Sequence, residues 1–450
     1  MERVLVLGLG KTGRSVLRFF SKKEEVIVGG YAEYLKGEER SELAQAFPHT
    51  YFYSGPLHEI PLHKFELLIL SPGISLYRPE LRAYQRQGGK IINDVTLWRQ
   101  YVYQTGEKII AITGSNGKST VTEWVKFLCR SVGLKAVSAG NIGLPLLDAR
   151  KDNPDIKVWV LELSSFQLEI PLALNADAAA CLNISQDHLD RYTSLEDYVD
   201  HKKRIFAGAK TVVLNGDDPL TQAMAFCKND VRYFSVEKKS DYWLDASTAP
   251  ALLKAGEEIL CSSEDLALPG KHNIANALAA FALVEAIGVD RKRLVNALPF
   301  FTGLTHRVEK VATIGAVTFI DDSKGTNVGA TAAALKSAPA SSVLIAGGLG
   351  KGQNFAPLNS ILKEKATAIV LIGQDRAEMK RIFSESGIKI VEENTLEEAT
   401  YTAFALAKKT GAQWVLLSPA AASMDMFKDY AHRAQVFIDT VKEIAHAEQG

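Results

Sequence analysis

Nine short apolar runs, each ending in glycine, serine, aspartate or alanine, constrain this chain more than any other feature. They are VLVLG from residue 4, LLILSPG from 67, IIAITG from 109, VWVLELS from 158, TVVLNGD from 211, VTFIDDS from 317, SVLIAGG from 342, AIVLIG from 368 and WVLLSPA from 414. Runs of this length, apolar throughout and separated by amphipathic segments, read as buried parallel strands joined by crossover helices. The pattern therefore predicts α/β layers. In such sheets ligands bind beyond the carboxyl ends of the strands, and nearly every polar cluster of interest follows directly on a run.

At 450 residues the chain exceeds one ordinary core, and ~150 residues per domain suggests about three. Two punctuation zones divide it. A helical stretch from Val95 to Tyr103 ends in QTGEK, and PFFTGLTHR, around 303–307, precedes another strand. The expected domains are 1–105, 106–305 and 306–450. KHNIANALAAFALVEAIG reads as an alanine-rich helix ended by Gly288.

Hydrophobic content of 47% with 23% charged residues suits a globular protein, and no stretch is long and apolar enough to span a bilayer. MERVLVLGLG lacks the features of a signal peptide, so a cytoplasmic location is expected, with no membrane partner. Cys129, Cys181, Cys227 and Cys261 contain no C-x-x-C pair and read as reduced and structural. Lys plus Arg equals Asp plus Glu at 52 each, which gives no global field for nucleic acid. A local anion site is still compatible with that balance.

The segment Thr113-Gly114-Ser115-Asn116-Gly117-Lys118-Ser119-Thr120 follows a strand and precedes the helical TEWVKFLCR. Strand, tight turn and helix are the order a phosphate loop requires, although the common spelling has glycine where this chain has Ile112. Amide groups at the helix start and the positive end of its dipole favour phosphate. Gly114 and Gly117 let the backbone curve around an anion, Lys118 neutralises it, and Ser119 or Thr120 offers oxygen to Mg²⁺. The bland alternative is a glycine turn with a solvated lysine. In VWVLELSSFQLE, Glu162 stands where a second-strand magnesium ligand would, a position that equally suits an edge residue facing water. NISQDHLDRY sets His188 between Asp187 and Asp190 after the strand AAACLNI, an arrangement suited to a metal or phosphate role.

Taken in order, TGSNGKST, GNIG, ELSSFQLE, HLDRY with a lysine after Tyr198, GKHNIANALAA, HRVE, DDSKGTN and SPAAASMDMF resemble the Mur ligases. These are ATP-dependent amide-forming enzymes of peptidoglycan precursor synthesis, distantly related to folylpolyglutamate synthase. The resemblance covers essentially the whole chain, and GLGKTG, SPGIS and SPAAASMDMF are most similar to the D-glutamate-adding branch.

It implies a Rossmann-like N-terminal domain that binds a UDP-sugar, a central P-loop ATPase domain and a Rossmann-like C-terminal domain that binds the amino acid. ATP and two Mg²⁺ ions are the implied cofactors, with UDP-N-acetylmuramoyl-L-alanine and D-glutamate as substrates. Gly114, Asn116, Gly117, Lys118, Ser119 and Thr120 would hold ATP phosphates and the first Mg²⁺. Glu162 would be a metal ligand and His188 would serve the second ion. Lys202 would be carbamylated, a carbon dioxide adduct that turns a cation into a metal-binding anion, with only the Tyr198 spacing choosing it over Lys203. Asn273 and Asn276 would contact the nucleotide, joined by Arg307 and Asp322 from the third domain. Lys324, Thr326, Lys351, Ser423 and Tyr430 would surround D-glutamate. Thr12, Ser71, Gly73 and Asn141 would hold the uridine and pyrophosphate. A monomer is expected.

The chain departs from the pattern at Leu349, where an aspartate is frequent, at Ala421 for cysteine, at Tyr430 for phenylalanine and in HRAQVF, which lacks a glycine. VGGYAEYLKG, expected to meet uracil, is not readily matched. Two other readings compete. GLGKTG is a G-x-G-x-x-G match with Glu33 near the acidic position of a nicotinamide site, and a phosphate loop alone also serves a nucleotide switch.

Overall fold

The computed structural model describes residues 2–151, 153–187, 191–225, 230–268 and 270–449. All nine apolar runs form strands with at least one parallel neighbour, and they are distributed over three sheets. The first sheet has the order Thr50–Ser54, Val26–Ala32, Glu2–Leu7, Leu67–Leu70, Lys90–Asn93, and every pairing is parallel. Glu2–Leu7 is central because Val4, Leu5, Val6 and Leu7 are apolar on both faces and fully buried. Each such side chain contributes roughly 1.5–3 kcal/mol relative to exposure.

The second sheet has nine strands. Its parallel part runs Ala136–Gly140, Val158–Glu162, Lys108–Thr113, Ala178–Cys181, Thr211–Asn215, Asp230–Ser235 and Tyr242–Asp245. Leu252–Ala255 and Glu258–Ser262 then add antiparallel pairings that no apolar run announces. Their neighbour Tyr242–Asp245 alternates buried and half-buried residues, whereas all five residues of Val158–Glu162 are buried. A sheet with one wet face needs apolar residues only at every second position, so it leaves no continuous run. The third sheet orders Glu309–Ile314, Val317–Asp321, Trp414–Leu417, Ser342–Gly347, Ala366–Ile372 and Lys389–Glu392, with only the first pairing antiparallel.

The first two sheets belong to one compact unit, comprising the residues up to Ile184, Glu196–Asp265 and Ala275–Phe301. The third sheet lies in a second unit with Ser185–Leu195, Leu266–Ile274 and the chain from Thr302 onward. Within the first unit the expected linker near 103–107 is a packed joint. Glu107 is buried, pairs with Arg150 and accepts from the Trp159 indole at 2.8 Å, while Trp98 meets Trp159 edge-on at 5.1 Å. Among the described residues no helix is long and apolar enough to cross a membrane.

Candidate active site

The strand Lys108–Thr113 delivers the chain to the glycine turn, and the helix Lys118–Ser131 leaves it. That helix forms because Val121, Trp124, Val125 and Leu128 fall on one buried face at three- and four-residue spacing. Its N-cap, Gly117, offers no side-chain oxygen to the first amides and has a left-handed φ of 81°. A Cβ there would stand 2.6 Å from Asn276 Oδ1. Glycine is thus required twice at this position, by conformation and by space.

The rest of the turn is held from outside. Asn183 accepts from the Asn116 amide at 2.8 Å and donates back to its carbonyl at 3.0 Å. The Ser115 hydroxyl lies 3.1 Å from that of Tyr198, and Lys118 Nζ donates to the carbonyls of Gly114 and Ser115 at 2.8 and 2.9 Å. Ser119 and Thr120 are buried in the first helical turn. A preformed glycine turn with a lysine at the start of a helix is suited to a polyanion.

Glu162 ends its strand in register with Ile112 and Gly140, and is 1% exposed. Asn141 Nδ2 donates to Glu162 Oε1 at 2.8 Å, while Oε2 is buried without a hydrogen-bond partner. A carboxylate oxygen desolvated in this way is suited to a cation such as Mg²⁺. Lys202, also 1% exposed, donates to the Gly114 carbonyl at 2.9 Å, whereas Lys203 is half-buried. Burial therefore separates the two lysines that the sequence left side by side. His188 lies outside the described residues.

Ser71 Oγ donates to the Gly8 carbonyl at 2.9 Å, which sets the loop after Leu67–Leu70 against the first glycine turn. Thr12 lies at the start of the helix Lys11–Phe20, and Gly73 is exposed with open space around it. Asn141 Nδ2 is engaged by Glu162 Oε1. Glu33 accepts from Arg78 Nη1 at 3.0 Å, so its carboxylate is engaged by a cation of the same domain.

One contact had no sequence signal. Tyr77 OH lies 3.2 Å from Asp197 Oδ1 and 3.1 Å from His201 Nε2, on the helix that carries Lys202. Burial, then the Asp197 carboxylate, push the Tyr77 hydroxyl up to about 12, so it keeps its proton at neutral pH.

In the second unit, Lys324 Nζ sits 5.2 Å from the Tyr430 ring centre, and Ser323 Oγ donates to the Tyr430 carbonyl. Leu349 and Ala422 exchange both backbone hydrogen bonds at 2.9 Å, joining the loop of Lys351 to that of buried Ser423. Gln353 ties the same loop to the carbonyl of Thr326 and the amide of Val328. At Leu349 it is the backbone that makes these bonds, which is compatible with any side chain. Burial pushes Asp322 up to about 7 although Ser418 and Arg307 oppose it, and Arg307 Nε is buried without a partner. His306 Nδ1 is 2.7 Å from the buried Asp321 carboxylate. Arg433, fully buried, donates to Ser323 and the Ala421 carbonyl, bracing the loops after two strands. Asn273 starts the helix Lys271–Ala286, with its amide on the Gly270 carbonyl.

Residues 112–284 match the Mur ligase middle domain, 2–93 the Mur ligase MurD-like N-terminal domain, and 306–421 the Mur ligase glutamate ligase domain. UDP-N-acetylmuramoylalanine–D-glutamate ligase of Chromobacterium violaceum is 46% identical over 99% of this chain and 98% of its own. This chain belongs to the Mur ligases. The like-named ligase of Methylobacillus flagellatus is 44% identical over 99% of this chain and 98% of its own. Among solved structures, MurF from Acinetobacter baumannii has a TM-score of 0.63 at 19% identity, with 98% of this chain and 93% of that one covered. That likeness bears on the fold, and a Mur ligase's three α/β domains account for the three sheets.

Proposed function

We propose that this chain joins D-glutamate to the alanyl carboxylate of UDP-N-acetylmuramoyl-L-alanine, with ATP converted to ADP and phosphate. Kinship over nearly the full length with ligases named for that reaction carries the reading. The glycine turn and the orphaned Glu162 oxygen support the ATP half of it. The three sheets support domains of 1–105, 106–305 and 306–450, holding the UDP-sugar, ATP and the amino acid respectively. The reaction belongs in the cytoplasm, where ATP is found.

A carboxylate repels an amine nucleophile and has no adequate leaving group. ATP supplies the phosphoryl group that turns the alanyl carboxylate into an acyl phosphate, and the D-glutamate amine then displaces phosphate. Gly114 and Gly117 let the backbone curve around the phosphates, Asn116, Ser119 and Thr120 line the same turn, and Lys118 screens the charge. Ser119 and Glu162 would hold one Mg²⁺, with His188 and Lys202 at a second, and the ions would supply neutralising charge for the phosphate oxygens. Asn276, with Asn273, Arg307 and Asp322, contacts the nucleotide. Thr12, Ser71 and Gly73, with Asn141, bind the UDP portion. Lys324, Thr326, Lys351, Ser423 and Tyr430 bind D-glutamate, whose two carboxylates suit ammonium and hydroxyl donors.

Lys202 serves as a ligand only if carbamylated, since an ammonium cannot coordinate a cation. Lys202→Ala should lose roughly 10²-fold in kcat and regain part of it with added acetate or formate. Indifference to these anions would count against the carbamate. The whole reading is tested by ADP release from UDP-N-acetylmuramoyl-L-alanine with a panel of D- and L-amino acids. Release with D-glutamate is expected, and release with another amino acid alone would reassign the substrate.

A further inference from the structure

The helix Leu195–Lys203 has two working faces. Asp197 and His201, four residues apart, face Tyr77 on the loop that follows Leu67–Leu70. Tyr198 and Lys202, also four apart and rotated by one position, face the phosphate loop through the Ser115 hydroxyl at 3.1 Å and the Gly114 carbonyl at 2.9 Å. His201 is fixed in turn by its Nδ1, 2.7 Å from the Asp197 carbonyl. A carbonyl only accepts, so that ring nitrogen carries a proton, while the Tyr77 hydroxyl, with a single proton, donates to Asp197 and lies within hydrogen-bond distance of Nε2.

A second strut runs alongside. The Leu76 amide donates to Glu169 Oε2 at 3.3 Å, and Arg204, one residue beyond the helix, donates to the carbonyls of Leu168 and Glu169 at 3.2 and 2.5 Å. The loop that carries Ser71 and Gly73 is thus gripped at Tyr77 by the segment that positions Ser115 and Lys202, and at Leu76 by Glu169, whose backbone carbonyl accepts from Arg204 of that segment.

We propose that Tyr77 is a positioning residue that couples the two nucleotide sites. Occupation of the loop at Ser71 and Gly73 fixes Tyr77, Tyr77 fixes the helix through Asp197 and His201, and the helix fixes the phosphate loop through Tyr198 and Lys202. This rests on the assignment of that loop to the UDP-sugar and of the glycine turn to ATP. Its consequence is that the two ligands bind cooperatively and reciprocally, because each pays less to order a helix the other has already ordered.

The experiment is a binding cycle on the full chain, with β,γ-imido-ATP and Mg²⁺ titrated by calorimetry in the presence and absence of saturating UDP-N-acetylmuramoyl-L-alanine. The sugar nucleotide should tighten the analogue by about fivefold or more in the parent protein. In Tyr77→Phe each ligand alone should bind within about twofold of the parent while the coupling factor falls toward one. Asp197→Asn should behave alike and decides the matter if Tyr77→Phe does not fold, and the double variant should lose no more coupling than either single one. Undiminished coupling in folded Tyr77→Phe or Asp197→Asn overturns the proposal, as does independent binding of the two ligands to the parent. Failure of the parent to bind the sugar nucleotide at all is a separate result, which removes the functional reading and this proposal with it.

Discussion

The first unit contains the same local device twice, a parallel strand running into a glycine turn and then a helix, and the two copies use their glycines differently. In the N-terminal copy, a Cβ on Gly13 would lie 1.8 Å from the Gly8 carbonyl oxygen, and one on Gly8 would lie 2.9 Å from Ser71 Cβ. Those glycines let helix, strand and loop close on each other. In the central copy Gly114 and Gly117 share the positive φ of Gly8, but a Cβ on them would meet Leu182 at 3.1 Å and Asn276 at 2.6 Å, on a turn braced by Asn183 and Tyr198. The surroundings diverge as well. Arg14 and Arg78 of the N-terminal domain are paired with Glu39 and Glu33, while Glu162 keeps a buried oxygen unmatched. On the proposed function, one turn would hold a ligand and the other would hold one while its charge is rearranged.

The largest test of that difference is Lys118→Ala. It should cost on the order of 10³-fold in kcat with the melting temperature nearly unchanged, because the ammonium acts on developing charge and not on the core. Robust turnover in this variant would refute the division of labour. Asn141→Ala comes next and asks which site the asparagine serves. As the partner that orients Glu162 it should raise the Mg²⁺ requirement by roughly 10–100-fold. A rise confined to the KM for the sugar nucleotide would return Asn141 to the role its sequence context implied.

That residue illustrates where sequence reading stopped. The glycine turn was legible because strand, glycines and lysine are contiguous, and so were the nine strands with continuous apolar character. The groups that brace the turn were not, since Asn183 and Tyr198 stand 67 and 83 residues from their partners and no local pattern marks the pairing. The same holds for Asn141 and Glu162, 21 residues apart on neighbouring strands. Between Lys202 and Lys203 the sequence offers only the Tyr198 spacing, and the fold adds the burial of Lys202. Arg433 was noted only for its lost glycine, whereas its weight lies in the two loops it ties together.

The smallest effects bear on the N-terminal turn alone, where neighbouring glycines should separate. Gly13→Ala forces a methyl onto a backbone oxygen and should destabilise the protein by about 1–3 kcal/mol, read as a lowered denaturant midpoint. Gly10, at φ −69° and with nothing within 4 Å of the place a methyl would occupy, should accept alanine with a change within about 0.5 kcal/mol. Yet Gly10 caps the helix Lys11–Phe20 without a side-chain hydrogen bond and opens onto the space where a pyrophosphate would approach those amides. Gly10→Ala should therefore leave stability alone and raise the KM for the sugar nucleotide severalfold, while the KM for ATP stays put. An unchanged KM for both would mean that the first turn serves only packing, and the comparison between the two turns would then be one between a fold element and a binding site.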